Sequence, residues 1–385
     1  MPSTRRCYDV RKEAYKGVNL EIYYHKGHEY NLDRMITSLK HSLDYFTENF
    51  SPYQHRQARI VEFPRTGGSF AQSFPNTIPY SEGVGFIAWV DEDKPNAVDY
   101  PYSITAHELA HQWWAHQVIG ANVKGATLLS ESLAEYSSLR VLEKRYGKFQ
   151  MRKFLKDALD KYLLGRAAEW KSENPLMYNE NQQYIHYNKG SLVLYAMSDY
   201  LGEKNFNNIL KGYIGEVAFQ EPPYTTSLEL VDHIRRATPD SLQYLIKDMF
   251  ETITLYNNKV DKVTTTELPG GKYQVDIEFN VAKYRTDKKG KRVYADADGK
   301  TLSEGTGKKD LKSLPLADYI EVGVFGEKKK KGSYEYDNEI YLKRYKIDKI
   351  TNKISVIVDE KPVEVGVDPY NKLIDTDSND NRRGI

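Results

Sequence analysis

The chain has 385 residues, 55 basic against 54 acidic, and a formal charge of +1. That balance gives no reason to invoke nucleic acid or an anionic membrane surface as a partner, and the length favours two or three domains with a sizeable core. A single cysteine, Cys7, excludes an internal disulfide framework without fixing a compartment, and no apolar run approaches the roughly 18 residues of a membrane span.

The first residues, Met1-Pro2-Ser3-Thr4-Arg5-Arg6, lack the apolar stretch of a signal peptide. Residues 18–24 and 58–63 read as short strands on either side of an amphipathic helix over 32–50. Residues 83–90 are a further strand candidate. From 105 to 256 the apolar spacing is mostly helical, as in 190–197 and 228–238, with Pro222-Pro223 and Pro239 as punctuation. After Lys259 the spacing turns to alternation, with Tyr273, Val275, Ile277 and Phe279 on one side of a strand and Ile320, Val322 and Val324 on another. A small β-sandwich is expected there. Residues 287–291, 296–309 and 328–332 are expected as solvated loops, the four-lysine run at a hairpin tip, and 375–385 as a frayed polar end.

His107-Glu108-Leu109-Ala110-His111 falls in the helical stretch, and Glu131 follows the second histidine by twenty residues. Residues four apart share one face of a helix, so both imidazoles can aim at one ion while Glu108 points beside it. The flanks are helix-compatible and apolar, and Trp113 and Trp114 are expected to pack the helix into the core. Residues 127–140 read as a second helix, from which Glu131 brings a carboxylate. Zinc catalysis commonly uses three protein ligands and keeps a fourth position for water, whose pKa falls to about 7. His107, His111 and Glu131 are therefore the expected ligands of one Zn2+ per chain. Glu108, beside the ligands but not one of them, is the expected general base. Glu135, one turn after Glu131, is either a carboxylate that orients a ligand histidine or a solvated helix residue. His116 falls off the ligand face and His186 reads as an ordinary polar neighbour. His25 and His28, with no third ligand nearby, read as structural.

These motifs resemble those of the gluzincin aminopeptidases, the family that includes aminopeptidase N. H-E-L-A-H-Q-W is similar to that family's zinc helix, and Ser130-Glu131-Ser132-Leu133-Ala134-Glu135-Tyr136 to its N-E-G-F-A-x-Y segment. The resemblance again makes Glu131 the third ligand. Tyr187-Asn188-Lys189-Gly190 resembles the family's Y-E-K-G, which gives Tyr187 the oxyanion-stabilising role; among 31 tyrosines nothing else in the sequence singles it out. What the resemblance implies for the fold is an α+β chain with a thermolysin-like, mostly helical catalytic domain over 1–258, a small β-sandwich domain over 259–375 and a polar tail over 376–385. The blocks Gln112-Trp113-Trp114-Ala115-His116-Gln117, Gly120-Ala121-Asn122-Val123 and Leu129-Ser130-Glu131-Ser132 are similar to a bacterial branch in which the peptidase is fused behind transporter-like membrane segments. That likeness implies a soluble piece of a longer, membrane-anchored protein.

Three features depart from the family pattern. The spacing from second histidine to glutamate is twenty rather than nineteen, and the insertion is expected in the loop 117–127. G-x-M-E-N has no literal copy; its nearest counterpart is Tyr80-Ser81-Glu82-Gly83-Val84-Gly85-Phe86, whose Glu82 would pair with the free amine of a substrate. The family's N-terminal β-saddle and C-terminal helical domain have no counterpart, which implies a more open site, weaker amine selectivity or dependence on other segments. The expected function is a zinc metallopeptidase that removes N-terminal residues from peptides. The alternatives are a thermolysin-like endopeptidase and a zinc-stabilised peptide-binding module with little turnover.

Overall fold

A computed structural model describes residues 8–91, 94, 97–294, 312–331 and 334–385. Cys7, the expected loop 296–309 and Gly332 lie outside the described residues. In chain order the elements are β1 (Asp9–Tyr15), β2 (Val18–Tyr24), α1 (Leu32–Asn49), β3 (Gln57–Phe63), β4 (Thr77–Ser81), α2 (Tyr100–Ala110), α3 (Leu133–Tyr146), α4 (Met151–Ala168), α5 (Gly190–Leu201), α6 (Glu203–Val217) and α7 (Ser227–Ala237). They continue as β5 (Thr254–Leu268), β6 (Lys272–Thr286), β7 (Arg292–Val293), β8 (Asp318–Lys331), β9 (Tyr334–Ile347), β10 (Thr351–Val358), β11 (Glu364–Val367) and β12 (Arg382–Gly384), with shorter helical turns between some of them. The chain divides into two compact units, Met1–Lys148 with Met197–Asp240, and Phe149–Ala196 with Ser241–Ile385.

In the first unit the sheet order is β1-β2-β3-β4, with β1 antiparallel to β2 and the pairs β2/β3 and β3/β4 parallel. Alternation builds β3, where Ala58, Ile60 and Glu62 are buried and the residues between them are not. One of those three inward positions is a carboxylate. Helix α1 buries Met35, Ile36, Leu39, Leu43 and Phe46, the spacing of a single apolar stripe, and packs on α2 and α3. Asp99 starts α2 by accepting the Tyr102 main-chain N–H at 3.1 Å, and Pro101 occupies the first turn, where a missing N–H costs nothing. Beyond α2, Trp113 and Trp114 are fully buried. Trp113 meets Phe46 edge-on at 5.2 Å and Trp114 meets Phe50 at 5.1 Å.

The segment 83–90, expected as a strand, is not one. The strand is the preceding Thr77–Ser81, after which the chain coils into turns closed by Gly85 N–H to Ser81 C=O at 3.2 Å and Ile87 N–H to Glu82 C=O at 3.0 Å. Gly85 makes this possible, since a Cβ there would lie 2.4 Å from the Tyr80 ring. The helix expected over 127–140 exists in two parts, a π-helical turn Leu128–Ser132 and then α3. A π-turn closes over one residue more than an α-turn. Glu131 thus sits in a wider turn than an α-helix makes, and the loop 117–127 before it is pinned by Ala121 N–H to Thr225 C=O at 2.7 Å and Phe219 N–H to Gln117 C=O at 2.7 Å.

The second unit holds two four-stranded sheets, β10-β6-β5 with β7 beside β6, and β12-β11-β8-β9. β5 lies against β11 and β12, and β10 against β9. The Lys283 amine is buried between Asp248 at 2.8 Å and Asp318 at 2.9 Å, a paired charge of the kind an interior tolerates. Two expectations change here. The lysine run forms the end of strand β8 rather than a loop, with Lys330 paired to Glu335 at 3.2 Å. The last residues are not frayed: Arg382–Gly384 pairs with β11, and the Arg382 guanidinium reaches Asp337 and Glu364, each at 2.6 Å, and stacks 4.0 Å over Phe325. Polarity suggested a loose end, but ion pairing and cation–π contact bury it.

Candidate metal centre and active site

Helix α2 and the turn before α3 bring three donor atoms together. His107 Nε2 and His111 Nε2 are 3.0 Å apart, and Glu131 Oε2 lies 3.3 Å from the first and 3.4 Å from the second. Ligand atoms about 2.0–2.1 Å from a tetrahedral zinc are about 3.3–3.4 Å from one another. The triangle therefore has the size that zinc requires, and all three groups carry the chemistry zinc prefers. The residues fit the ion.

The opposite ring nitrogens are already engaged. His111 Nδ1 donates to the Trp114 carbonyl at 2.9 Å, and His107 Nδ1 lies 3.2 Å from Glu135 Oε1. With the proton on Nδ1, each imidazole presents an Nε2 lone pair toward the other and toward Glu131. Trp114 was expected only as a packing residue. Its carbonyl is free for His111 because α2 stops at Ala110 and the chain turns back at Ala115, whose φ of +137° is the left-handed side that a residue with a Cβ adopts at a cost. A helical periodicity cannot reveal such a contact, since it arises where the helix ends.

Glu108 is buried beside the triad. Burial pushes its pKa up, the His107 and His111 imidazoles pull it down, and the Glu131 and Glu135 carboxylates raise it further. For Glu131 burial acts upward as well, but hydrogen bonds from His107 and His111 outweigh it and hold the carboxyl well below the usual range. His107 has the converse balance: burial disfavours its charge, and Glu135, Glu131 and Glu108 together hold its pKa well above that of a free imidazole. Three carboxylates around two imidazoles make a site short of positive charge, as a divalent cation site is.

Glu82 ends up in other company. Its carboxylate lies 3.9 Å from His28 Nδ1 and 3.8 Å from Arg65 Nε, at the carboxyl end of the sheet. Tyr187 belongs to the other compact unit, in the helical turn Tyr184–Lys189 that leads into α5, with its ring edge-on to His186 at 4.4 Å. His116 is half-buried outside the triad, its pKa lowered first by burial and then by His111. His25 and His28, read from the sequence as structural with no third ligand nearby, have a carboxylate beside them. Glu62 lies between them, 34 residues beyond His28 in the chain. No local spacing could have pointed to it.

Residues 90–252 match the model of the Peptidase family M1 domain. That span contains His107, Glu108, His111, Glu131, Glu135 and Tyr187, and begins after Glu82. The chain is 26% identical over 126 residues to endoplasmic reticulum aminopeptidase 2 of Homo sapiens, an alignment covering 30% of this chain and 13% of that protein. It is 24% identical over 188 residues to Probable aminopeptidase 1 of Sulfurisphaera tokodaii, covering 46% of this chain and 23% of that protein. Its fold is similar to that of the crystal structure of Legionella pneumophila aminopeptidase A in complex with aspartic acid, with a TM-score of 0.54 at 14% identity over 95% of this chain and 37% of that one. The chain thus matches a minor share of the length of these relatives. No helix among the described residues is long and apolar enough to cross a membrane.

Proposed function

We propose that this chain is the catalytic part of a zinc-dependent metallopeptidase that releases N-terminal residues from peptides. The observation that carries the reading is the triangle of His107 Nε2, His111 Nε2 and Glu131 Oε2, closed to zinc dimensions, with the Glu108 carboxylate buried next to it. The match of residues 90–252 to a peptidase domain and the aminopeptidase relatives support it. When bound, zinc supplies Lewis acidity toward an amide carbonyl and acidifies water.

The chain's own groups divide the remaining work. Glu108 takes a proton from the attacking water and returns it to the nitrogen of the leaving amine, and burial moves its basicity toward neutral pH, where a general base is most effective. Glu135 and the Trp114 carbonyl hold the two imidazoles in one tautomer and one orientation. The resemblance of Tyr187-Asn188-Lys189-Gly190 to the family's Y-E-K-G assigns the Tyr187 hydroxyl as donor to the developing oxyanion. Glu82 is assigned to the ammonium of the substrate by charge pairing.

Amino-acid amides and N-terminally blocked peptides, incubated with the zinc-loaded protein, test the reading. Chelator-sensitive cleavage of the free substrates is expected, and cleavage of neither class would defeat it. One observation favours a second reading, an endopeptidase: the Glu82 carboxylate already has His28 and Arg65 within 4 Å. Equal rates on blocked and free peptides would select that reading. The likeness to the transporter-linked branch carries a further expectation, that the peptidase works at a membrane as part of a longer protein; fractionation of the native protein with membranes tests it.

A further inference from the structure

A second group of metal-type donors stands at the sheet edge, built from residues that the proposed reaction does not use. Because β2, β3 and β4 run parallel, their carboxyl ends meet at one edge. Just beyond β2 the chain turns through His25-Lys26-Gly27-His28, closed by His28 N–H to His25 C=O at 3.0 Å, with Gly27 at φ +92° permitting the reversal. Both imidazoles are thereby folded back toward Glu62, the penultimate residue of β3. His28 Nδ1 lies 2.5 Å from Glu62 Oε1, and His25 Nδ1 lies 3.4 Å from Glu62 Oε2. One donor atom from each of the three residues lies within 4.8 Å of the other two.

Glu62 is 0% exposed, and a carboxylate removed from water needs hydrogen-bond donors or a cation around it. The Oε2 atom also accepts the His25 main-chain N–H at 2.5 Å, which fixes the carboxylate plane. Tyr8 fixes the other side: its hydroxyl donates to the Glu62 carbonyl at 2.7 Å, and its ring stacks on that of His25 at 4.8 Å. A further carboxylate, Glu82, approaches His28 Nδ1 to 3.9 Å. A cavity of about 510 Å³ lined by Gly27, His28, Asn31 and Trp89, among others, opens beside His28.

We propose that His25, His28 and Glu62 form a second divalent-cation site, which takes zinc or a similar first-row ion and clamps the carboxyl ends of β2 and β3 together. Two imidazoles and one carboxylate favour such an ion over calcium or magnesium, which prefer all-oxygen surroundings. The His25–Glu62 separation already matches the edge of a zinc tetrahedron, about 3.3–3.4 Å. The His28 contact must open, which its partly exposed ring permits by rotation. The ion satisfies the buried carboxylate, and the site stands whether or not the chain is a peptidase.

The test is metal stoichiometry. Chain stripped with a chelator, reloaded with Zn2+ and passed through gel filtration should retain two equivalents. His25→Ala/His28→Ala should retain one, and His107→Ala/His111→Ala should also retain one. Two equivalents in His25→Ala/His28→Ala, or one equivalent in the unmodified chain that falls to none in His107→Ala/His111→Ala, overturns the proposal and leaves a plain contact between the imidazoles and the carboxylate. Should the first double variant not fold, the second decides alone: titrated with Zn2+ it should bind one equivalent and melt at a higher temperature, whereas no uptake, or equal uptake of Ca2+, refutes the site.

Discussion

The two His-His-Glu groups of this chain use the same residue types in opposite ways. At His107, His111 and Glu131 the histidines sit four apart on a helix, turn their Nε2 atoms inward and have Nδ1 held from behind by Glu135 and a main-chain carbonyl. At His25, His28 and Glu62 the histidines sit in a turn and face the carboxylate with Nδ1, so the atom that would bind a metal is also the one beside the acid. The first group is held open by its surroundings, whereas in the second the His28 ring closes to 2.5 Å from the carboxylate. Donor identity alone does not make a catalytic centre. What separates the two is a buried carboxylate beside the first, Glu108, proposed above as its base, and acceptors that hold the rings from behind.

The sharpest way to break this contrast is Glu108→Gln. Activity should fall by about 10³-fold or more with zinc content unchanged, since the substitution removes the proton acceptor and none of the ligands. Steady-state kinetics beside elemental analysis would read it, and undiminished turnover would reduce the first group to a second structural clamp. Tyr187→Phe should lower kcat by about 10²–10³-fold while KM changes little, as loss of one oxyanion donor does.

A carboxylate held by backbone N–H groups rather than histidine supplies the control. Asp375 is buried, accepts N–H groups of Asn258 at 2.8 Å and Asp377 at 2.9 Å, and has its pKa pushed up to about 7, by burial first of all. The folded chain keeps this proton where the unfolded chain, with a carboxyl near about 3.9, has lost it. The resulting stability is full below about pH 4, declines as pH rises, and is gone above about pH 7. Asp375→Asn should remove this slope, a difference on the order of 4 kcal/mol across the interval, as urea midpoints at several pH values would show. Glu135→Ala should weaken zinc binding about 10–100-fold without removing a ligand; competition with a chromogenic chelator measures it, and unaltered affinity would leave His107 held by the triad alone. Smallest of all, Ala115→Gly should raise the melting point through relief of about 1 kcal/mol of backbone strain, provided Trp114 keeps its place.

The helical group was legible because its spacing is local. His107, Glu108 and His111 lie within one turn, and the four-residue step from Glu131 to Glu135 names the pair that touches the two nitrogens of His107. Elements with a clean period were legible too: α1, β2 and β3 begin and end within a residue of expectation. What escaped was set by contacts between distant residues. Glu62 reads as an ordinary strand glutamate until the parallel pairing of β2 and β3 brings it to the histidine turn. The segment after Glu82 has strand-like composition, but Gly85 packs against Tyr80 and forces turns. Arg382 reads as tail until Phe325, Asp337 and Glu364 surround it. The carbonyl of Trp114 has no sequence signature whatever.

That carbonyl ties the site to a fully buried aromatic layer of its unit. The Trp114 ring is clasped by Phe50 and its indole N–H donates to Ser137 of α3 at 2.9 Å, while its neighbour Trp113 donates to the Ser51 carbonyl at 2.9 Å. An imidazole aimed from such a scaffold has no hinge of its own, so it cannot drift out of line while the surrounding aromatic layer stays intact. Heat inactivation of the chain and its cooperative melting should therefore occur at one temperature, and slow amide exchange should extend through the residues around His111 rather than stop short of them.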